Sequence, residues 1–269
     1  MAKPASPAVI VCGFGDFTCQ LLSPNLHQAL ALHPANFPGL LPNDGTDVDE
    51  LTLDAILDVI DLRADSIGSD SFILLGFSIS GTVALDYATL RPGRVSALVL
   101  LCSPPMWTPE LREYQRNHQN LNLPEEKKAV LAKNLDELGQ RESSIPEDSL
   151  FAEQCIAQAP LYWHSPSADH QRHVRDLKIN MDLIMAFESP LYLGHNLSSR
   201  FREIEGPVFL GLGRHDYACP PGCWSLAESH PPNMRRVEFE SSGHYPMIEE
   251  RELFDRELTQ WLRGLNGLD

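Results

Sequence analysis

The chain has 269 residues, 43% of them apolar and 22% charged, the composition of a soluble globular protein built as one domain with an insertion or as two small ones. Its 21 basic and 37 acidic residues give a formal charge of −16, which argues against nucleic acid or an anionic membrane as a partner, because both need positive potential. The first apolar run, Ala8 to Cys12, is too short for a signal-peptide core, and later runs are strand-length, so a cytoplasmic setting with no membrane span is expected.

In chain order, Ala8-Val-Ile-Val-Cys12 reads as a buried strand. A helix-like stretch follows from Cys19 to Leu32, with Ala29 to His33 as an alternative second strand. Asn36-Phe-Pro-Gly39 is a turn. Between Val48 and Ile67 a helix places apolar residues at 53, 56, 57 and 60. Asp54, Asp58, Asp61 and Asp65 share its opposite face and read as a solvated row. Phe72–Leu75 is a strand, Ile79–Leu90 a helix, and Ala97–Leu101 a strand. Val208–Leu212 and Arg236–Phe239 are further strands, and a last helix runs from Glu249 to Arg263 with Gly264 as its stop. This alternation predicts an α/β fold, a mostly parallel sheet of about six strands with helices on both faces.

Residues 104–200 break the pattern. The stretch is polar, helical in periodicity and punctuated by prolines at 109, 124, 146, 160, 166 and 190. It lies between two strands, so residues 1–103 and 201–269 are assigned to the core and 104–200 to an inserted helical cap. The six cysteines (12, 19, 102, 155, 219, 223) lack C-x-x-C spacing and read as ordinary thiols, with no metal site.

The chemistry gathers at strand ends. In Leu74-Leu-Gly76-Phe77-Ser78-Ile79-Ser80-Gly81, a buried strand gives way to a helix across Ser78. A serine on such a sharp turn is pushed out of the sheet edge and needs small neighbours. Gly76 is two before it. Ser80 is two after it, where the pattern G-x-S-x-G has glycine. The Ile79 N–H, free in the first helical turn, is half of an oxyanion hole. The Phe14 N–H, in Gly13-Phe14-Gly15 after the first strand, is the other half. A serine hydroxyl needs a base, and His244 in Ser242-Gly-His-Tyr-Pro246 follows the last strand on a loop. The orienting carboxylate is Asp216, in Gly213-Arg-His-Asp-Tyr217. Ser, then Asp, then His is the chain order of one particular nucleophile-elbow fold.

With these residues the chain resembles the α/β-hydrolase superfamily over nearly its whole length. It is similar to the proline iminopeptidase-like branch in Gly76-Phe-Ser-Ile-Ser-Gly-Thr-Val-Ala-Leu-Asp-Tyr-Ala88, Leu101-Cys-Ser-Pro-Pro-Met-Trp107, Gly213–Tyr217 and Ser242–Glu250. The resemblance implies a helical cap over the site, which the 104–200 insertion matches. Three departures stand out. The oxyanion loop is Cys12-Gly-Phe-Gly-Asp16 rather than His-Gly-Gly-Pro-Gly, Ile79 replaces a tryptophan after the nucleophile, and no motif in the insertion assigns a carboxylate to hold a substrate's free amine. These weigh against peptidase activity.

The expected function is hydrolysis of a small-molecule ester, thioester or lactone through an acyl-enzyme, by a monomer or homodimer with no metal or organic cofactor. An aminopeptidase or amidase is one alternative, and a non-hydrolytic biosynthetic enzyme or ligand sensor another. Gly13, Phe77, Trp107, Trp163 and His164 are the expected substrate contacts. Tyr114, Tyr162, Phe187 and Tyr192 are the other aromatic residues of the insertion considered for the pocket.

Overall fold

Five short apolar runs pair into one sheet in the computed structural model, which describes residues 8–13, 17–32, 52–165, 172–175 and 194–265. The strands are β1 (Ala8–Cys12), β2 (Phe72–Phe77), β3 (Val95–Leu101), β4 (Val208–Gly213) and β5 (Met234–Phe239). They lie in that order, every neighbouring pair parallel. The sheet therefore has five strands among the described residues. The alternative strand at 29–33 does not form: Ala29 closes α2 (Pro24–Ala29) and no strand follows through Leu32. Ser23 decides this locally, because its hydroxyl accepts the Leu26 N–H and caps a helix begun by Pro24.

The two-residue period of a strand sorts side chains to two cores. Val9, Val11, Ile73, Leu75, Val99, Leu101 and Phe209 face one side, with Leu26 of α2 and Phe254 and Leu258 of α10 (Arg251–Leu265). Ile10, Leu74, Leu98, Leu100, Leu210 and Leu212 face the other, against α3 (Leu53–Ser66) and α4 (Ile79–Leu90). Both faces are covered, which is why β2 reads as an unbroken apolar run. All six cysteines are buried thiols.

The aspartate row of α3 is more than a solvated face. Arg91 and Arg94, just past α4, pair with Asp54, Asp58, Asp61 and Asp65 at 3.0–3.6 Å. Asp61 also accepts the Tyr87 hydroxyl at 2.6 Å. The row thus helps dock α3 onto α4. The last helix also differs from expectation. It begins earlier as α9 (Pro246–Glu249), breaks at Glu250 (φ −124°, ψ 46°) and continues as α10 through Gly264. The Glu250 carboxylate turns back to accept Ser241 N–H and the Ser242 hydroxyl, which accompanies the break.

Helices α5 (Pro109–Asn122), α6 (Glu125–Arg141), α7 (Glu147–Ala157) and α8 (Ala159–Tyr162) lie between β3 and β4, with α1 (Phe17–Leu21) after β1. Prolines punctuate them: Pro109 and Pro160 sit in first turns, and Pro124 and Pro146 stand just before α6 and α7. Pro166, Pro190, Phe187 and Tyr192 lie outside the described residues. Among the described residues no helix is long and apolar enough to cross a membrane.

Candidate active site

Ser78 alone connects β2 to α4, and it does so at φ 55°, ψ −132°. A non-glycine residue there stores about 1–3 kcal/mol of strain, tolerated only where the surroundings hold it. They do: the Ser78 N–H donates to Leu101 O at 2.8 Å, and its carbonyl accepts the Gly81 N–H at 3.0 Å. The hydroxyl makes no capping bond to α4. The small neighbours are required by contact. A Cβ on Gly76 would lie 2.6 Å from the Gly81 Cα, and one on Gly81 would lie 1.8 Å from the Ser103 Oγ. The crowded position after the serine is thus Gly81, which explains why Ser80 is accommodated where a glycine was expected.

Two loops bring the other groups in. Beyond β4, Asp216 is 1% exposed, and beyond β5, His244 is 3% exposed. Their loops touch through backbone: a Cβ on Gly213 would lie 1.7 Å from the Gly243 carbonyl oxygen, and His215 N–H donates to Ser242 O at 2.9 Å. The His244 Nδ1 and Asp216 Oδ2 are 2.6 Å apart. Asp216 Oδ1 accepts the Ala218 N–H at 2.9 Å and the Cys219 N–H at 2.7 Å. A carboxylate so supplied with donors favours Nδ1–H on the imidazole, which leaves Nε2 as an acceptor.

Aromatic rings surround the imidazole. Phe77, beside Ser78, has its ring centroid 4.8 Å from that of His244, Tyr162 lies at 5.5 Å and Tyr245 at 5.3 Å. The Ser78 side chain slightly opposes the rise that burial imposes on the Cys219 thiol. Burial, reinforced by the Asp216 charge, pushes the Cys219 and Cys102 thiols well above their ordinary range. Both stay protonated, so neither supplies a competing thiolate. Cys102, Asp216 and His244 place one ligand atom each within 4.8 Å of one another, the described group with metal-ligand chemistry. As folded, the histidine and the aspartate already satisfy each other, and the thiol is held neutral.

The remaining expected residues sort by position. Ile79 opens α4, so its N–H is among the first four without an intrahelical acceptor. Gly13 is buried next to the end of β1. Phe14 lies outside the described residues. Trp107 is 9% exposed, packs in the α3–α4 core and carries the Arg112 guanidinium 4.4 Å above its ring. Trp163 is 2% exposed and stacks on Tyr245 at 4.3 Å, in the opposite core. The His164 ring lies 4.1 Å from that of His215. Sequence reading took Cys219 for an ordinary thiol and did not single out Glu249 or the backbone of Tyr162. Cys219 betrays itself only by lying three residues after the acid, within reach of an Asx-type turn. Tyr162 acts through its carbonyl, which no sequence pattern reports.

A family model described as alpha/beta hydrolase fold matches residues 33–251. The chain is 27% identical over 258 residues to the AB hydrolase superfamily protein YclE of Bacillus subtilis (strain 168), covering 94% of this chain and 91% of that protein. It is 24% identical over 232 residues to the pimeloyl-[acyl-carrier protein] methyl ester esterase of Nitrosomonas europaea, covering 86% of this chain and 84% of that one. A crystal structure of proline iminopeptidase from Mycobacterium smegmatis superposes with TM-score 0.62 at 18% identity over 98% of this chain and 92% of that one, a likeness of fold alone. With its parallel sheet, its covering helices and a family match across most of its length, the chain belongs to the α/β-hydrolase family.

Proposed function

We propose that this chain is a serine hydrolase of small-molecule carboxylic esters, thioesters or lactones, with Ser78 as nucleophile, His244 as base and Asp216 as orienting acid. The observation that carries this reading is the buried 2.6 Å contact of His244 Nδ1 with Asp216, at the same sheet end as the strained Ser78 turn. Nε2 of His244 takes the Ser78 proton as Oγ attacks the carbonyl carbon. The oxyanion rests on the N–H groups of Ile79 and Phe14. His244 then gives that proton to the leaving group, and the acyl-enzyme forms. A water, deprotonated by His244, attacks the ester carbon, and the proton returns to Ser78 as the acid departs. No step needs a metal or organic cofactor.

Residues 104–200 form the cap in this reading, and with the sheet edge they enclose the substrate. The methyl ester esterase named among the relatives supports ester chemistry over amide chemistry. The test is a panel of aryl esters of graded chain length, lactones and prolyl amides, each run against a Ser78→Ala control. Ester turnover that Ser78→Ala abolishes is the expected result. Full activity in that variant sinks the mechanism. A panel wholly without turnover, with Ser78 still labelled by a fluorophosphonate, points to a non-hydrolytic role.

A further inference from the structure

Helix α9 is only one turn long, yet the carboxylate of its last residue accepts three backbone bonds from outside the helix. Glu249 is half-buried, five residues after His244. Its Oε2 accepts the Gly243 N–H at 2.7 Å. Its Oε1 accepts the N–H groups of His164 at 2.9 Å and Ser165 at 3.2 Å. One carboxylate thus joins the loop that carries His244 to the segment that follows α8.

Other bonds run along the same seam. The Leu161 carbonyl accepts the Tyr217 N–H at 3.0 Å, and the Tyr162 carbonyl accepts the His244 N–H at 2.5 Å. The Trp163 carbonyl accepts Lys127 Nζ at 2.6 Å. A Cβ on Gly243 would lie 2.2 Å from the Tyr162 carbonyl oxygen, so only glycine permits the approach. Residues 161–165 therefore hold, in succession, the loop of Asp216, the backbone of His244, α6 and Glu249.

We propose that Glu249 is a positioning residue for His244, acting through Gly243 and the 162–165 segment to fix the imidazole where Ser78 can use it. This rests on the reading of His244 as the base. A negatively charged acceptor suits the place, because three backbone donors converge on it and bonds to an ionised group are the stronger kind. A glutamine would turn an N–H₂ toward at least one of those donors. The groups around the carboxylate are Lys127 from α6, Cys102 beyond β3, Glu250 beside it in sequence and His164 from the segment, whose ring lies against that of His215. Burial raises Glu249 above the ordinary glutamate range, against the backbone donors and Lys127, which lower it. Acidification then protonates it sooner than an exposed glutamate, and the protonated form gives up part of its acceptor capacity. The tie holds at higher pH and loosens as pH falls.

The experiment measures fluorophosphonate labelling of Ser78 and aryl-ester hydrolysis against pH, for the wild type and Glu249→Gln, with circular dichroism to certify folding. Glu249→Gln is expected to lower kcat roughly 10- to 100-fold with little change in KM, the scale for a slightly misplaced catalytic group. Its acid limb should be shallower than that of the wild type, having lost one ionisation. A folded variant with wild-type labelling rate and an unchanged acid limb overturns the proposal. If the variant does not fold, the wild-type limb decides: it should steepen to two protons at its acid end, and a single-proton limb throughout overturns the proposal. Failure to label Ser78 in the wild type would instead refute the nucleophile assignment beneath it.

Discussion

The backbone N–H of His244 donates to the carbonyl of Tyr162 at 2.5 Å, across the seam between the sheet and the inserted helices. His244 is therefore held from both sides. Its ring is oriented by Asp216, and its main chain by the insertion. The carbonyls of residues 161–163 thus tie down the Tyr217 and His244 backbones and Lys127 of α6.

Replacing Asp216 by asparagine should leave the fold intact and lower kcat roughly 10³- to 10⁴-fold, because an amide nitrogen no longer selects Nδ1–H. Steady-state kinetics on an aryl ester checks this. A loss below tenfold would mean that another group orients His244.

Gly243→Ala places a methyl 2.2 Å from the Tyr162 carbonyl oxygen and 2.9 Å from its carbon, atoms that cannot swing aside. The seam must open, at about 1–3 kcal/mol for an overpacked site. A lower Tm with a disproportionate loss of kcat is expected.

The turn at Ser78 makes a paired prediction. Ser80→Gly restores the strict pattern but adds a helical glycine, so it should keep turnover and cost only about 0.5 kcal/mol of stability. Gly81→Ala drives a methyl to within 1.8 Å of Ser103 Oγ and 2.5 Å of its Cβ, and should distort the turn and abolish turnover. Thermal denaturation beside activity separates the two. Equal activity in both variants would contradict the assignment of Gly81 as the crowded position.

Stability should fall on mild acidification. His118 is held below its ordinary value of 6.5, chiefly by burial, with the Asp216 charge opposing. Burial moves His195 and His215 the same way. Their folded values lie below the unfolded one, so the unfolded chain takes up the proton first. The stability they contribute is full above about 6.5 and is lost as pH falls through the lowered folded values. Tm measured across that window should decline, and less steeply in His118→Gln. A Tm that does not move there would contradict the shifts.

Strand positions and chain order were legible because buried parallel strands are short unbroken apolar runs, and Ser78, Asp216 and His244 each follow one. The split of the last helix was not, since Glu250 is a good helix former and leaves the helix while its carboxylate caps Ser241 and Ser242. Nor was the docking of the α3 aspartates, whose partners Arg91 and Arg94 lie across an intervening strand and helix. Residues 161–165 contribute to the seam through carbonyl and N–H groups, which every residue carries, so their side-chain types did not announce it. Trp163 looked like a pocket residue for its size, yet its ring is spent on Tyr245.

The six buried thiols give the chain an internal clock. With every cysteine out of reach of solvent, an aqueous disulfide reagent such as Ellman's should find nothing to modify in the native state. Each equivalent of released chromophore then counts an opening event. Cys102 and Cys219, beside Asp216, report that end of the sheet, while Cys12 and Cys19 report the first strand and the helix after it. Comparing the order in which they react would show which part of the protein opens first.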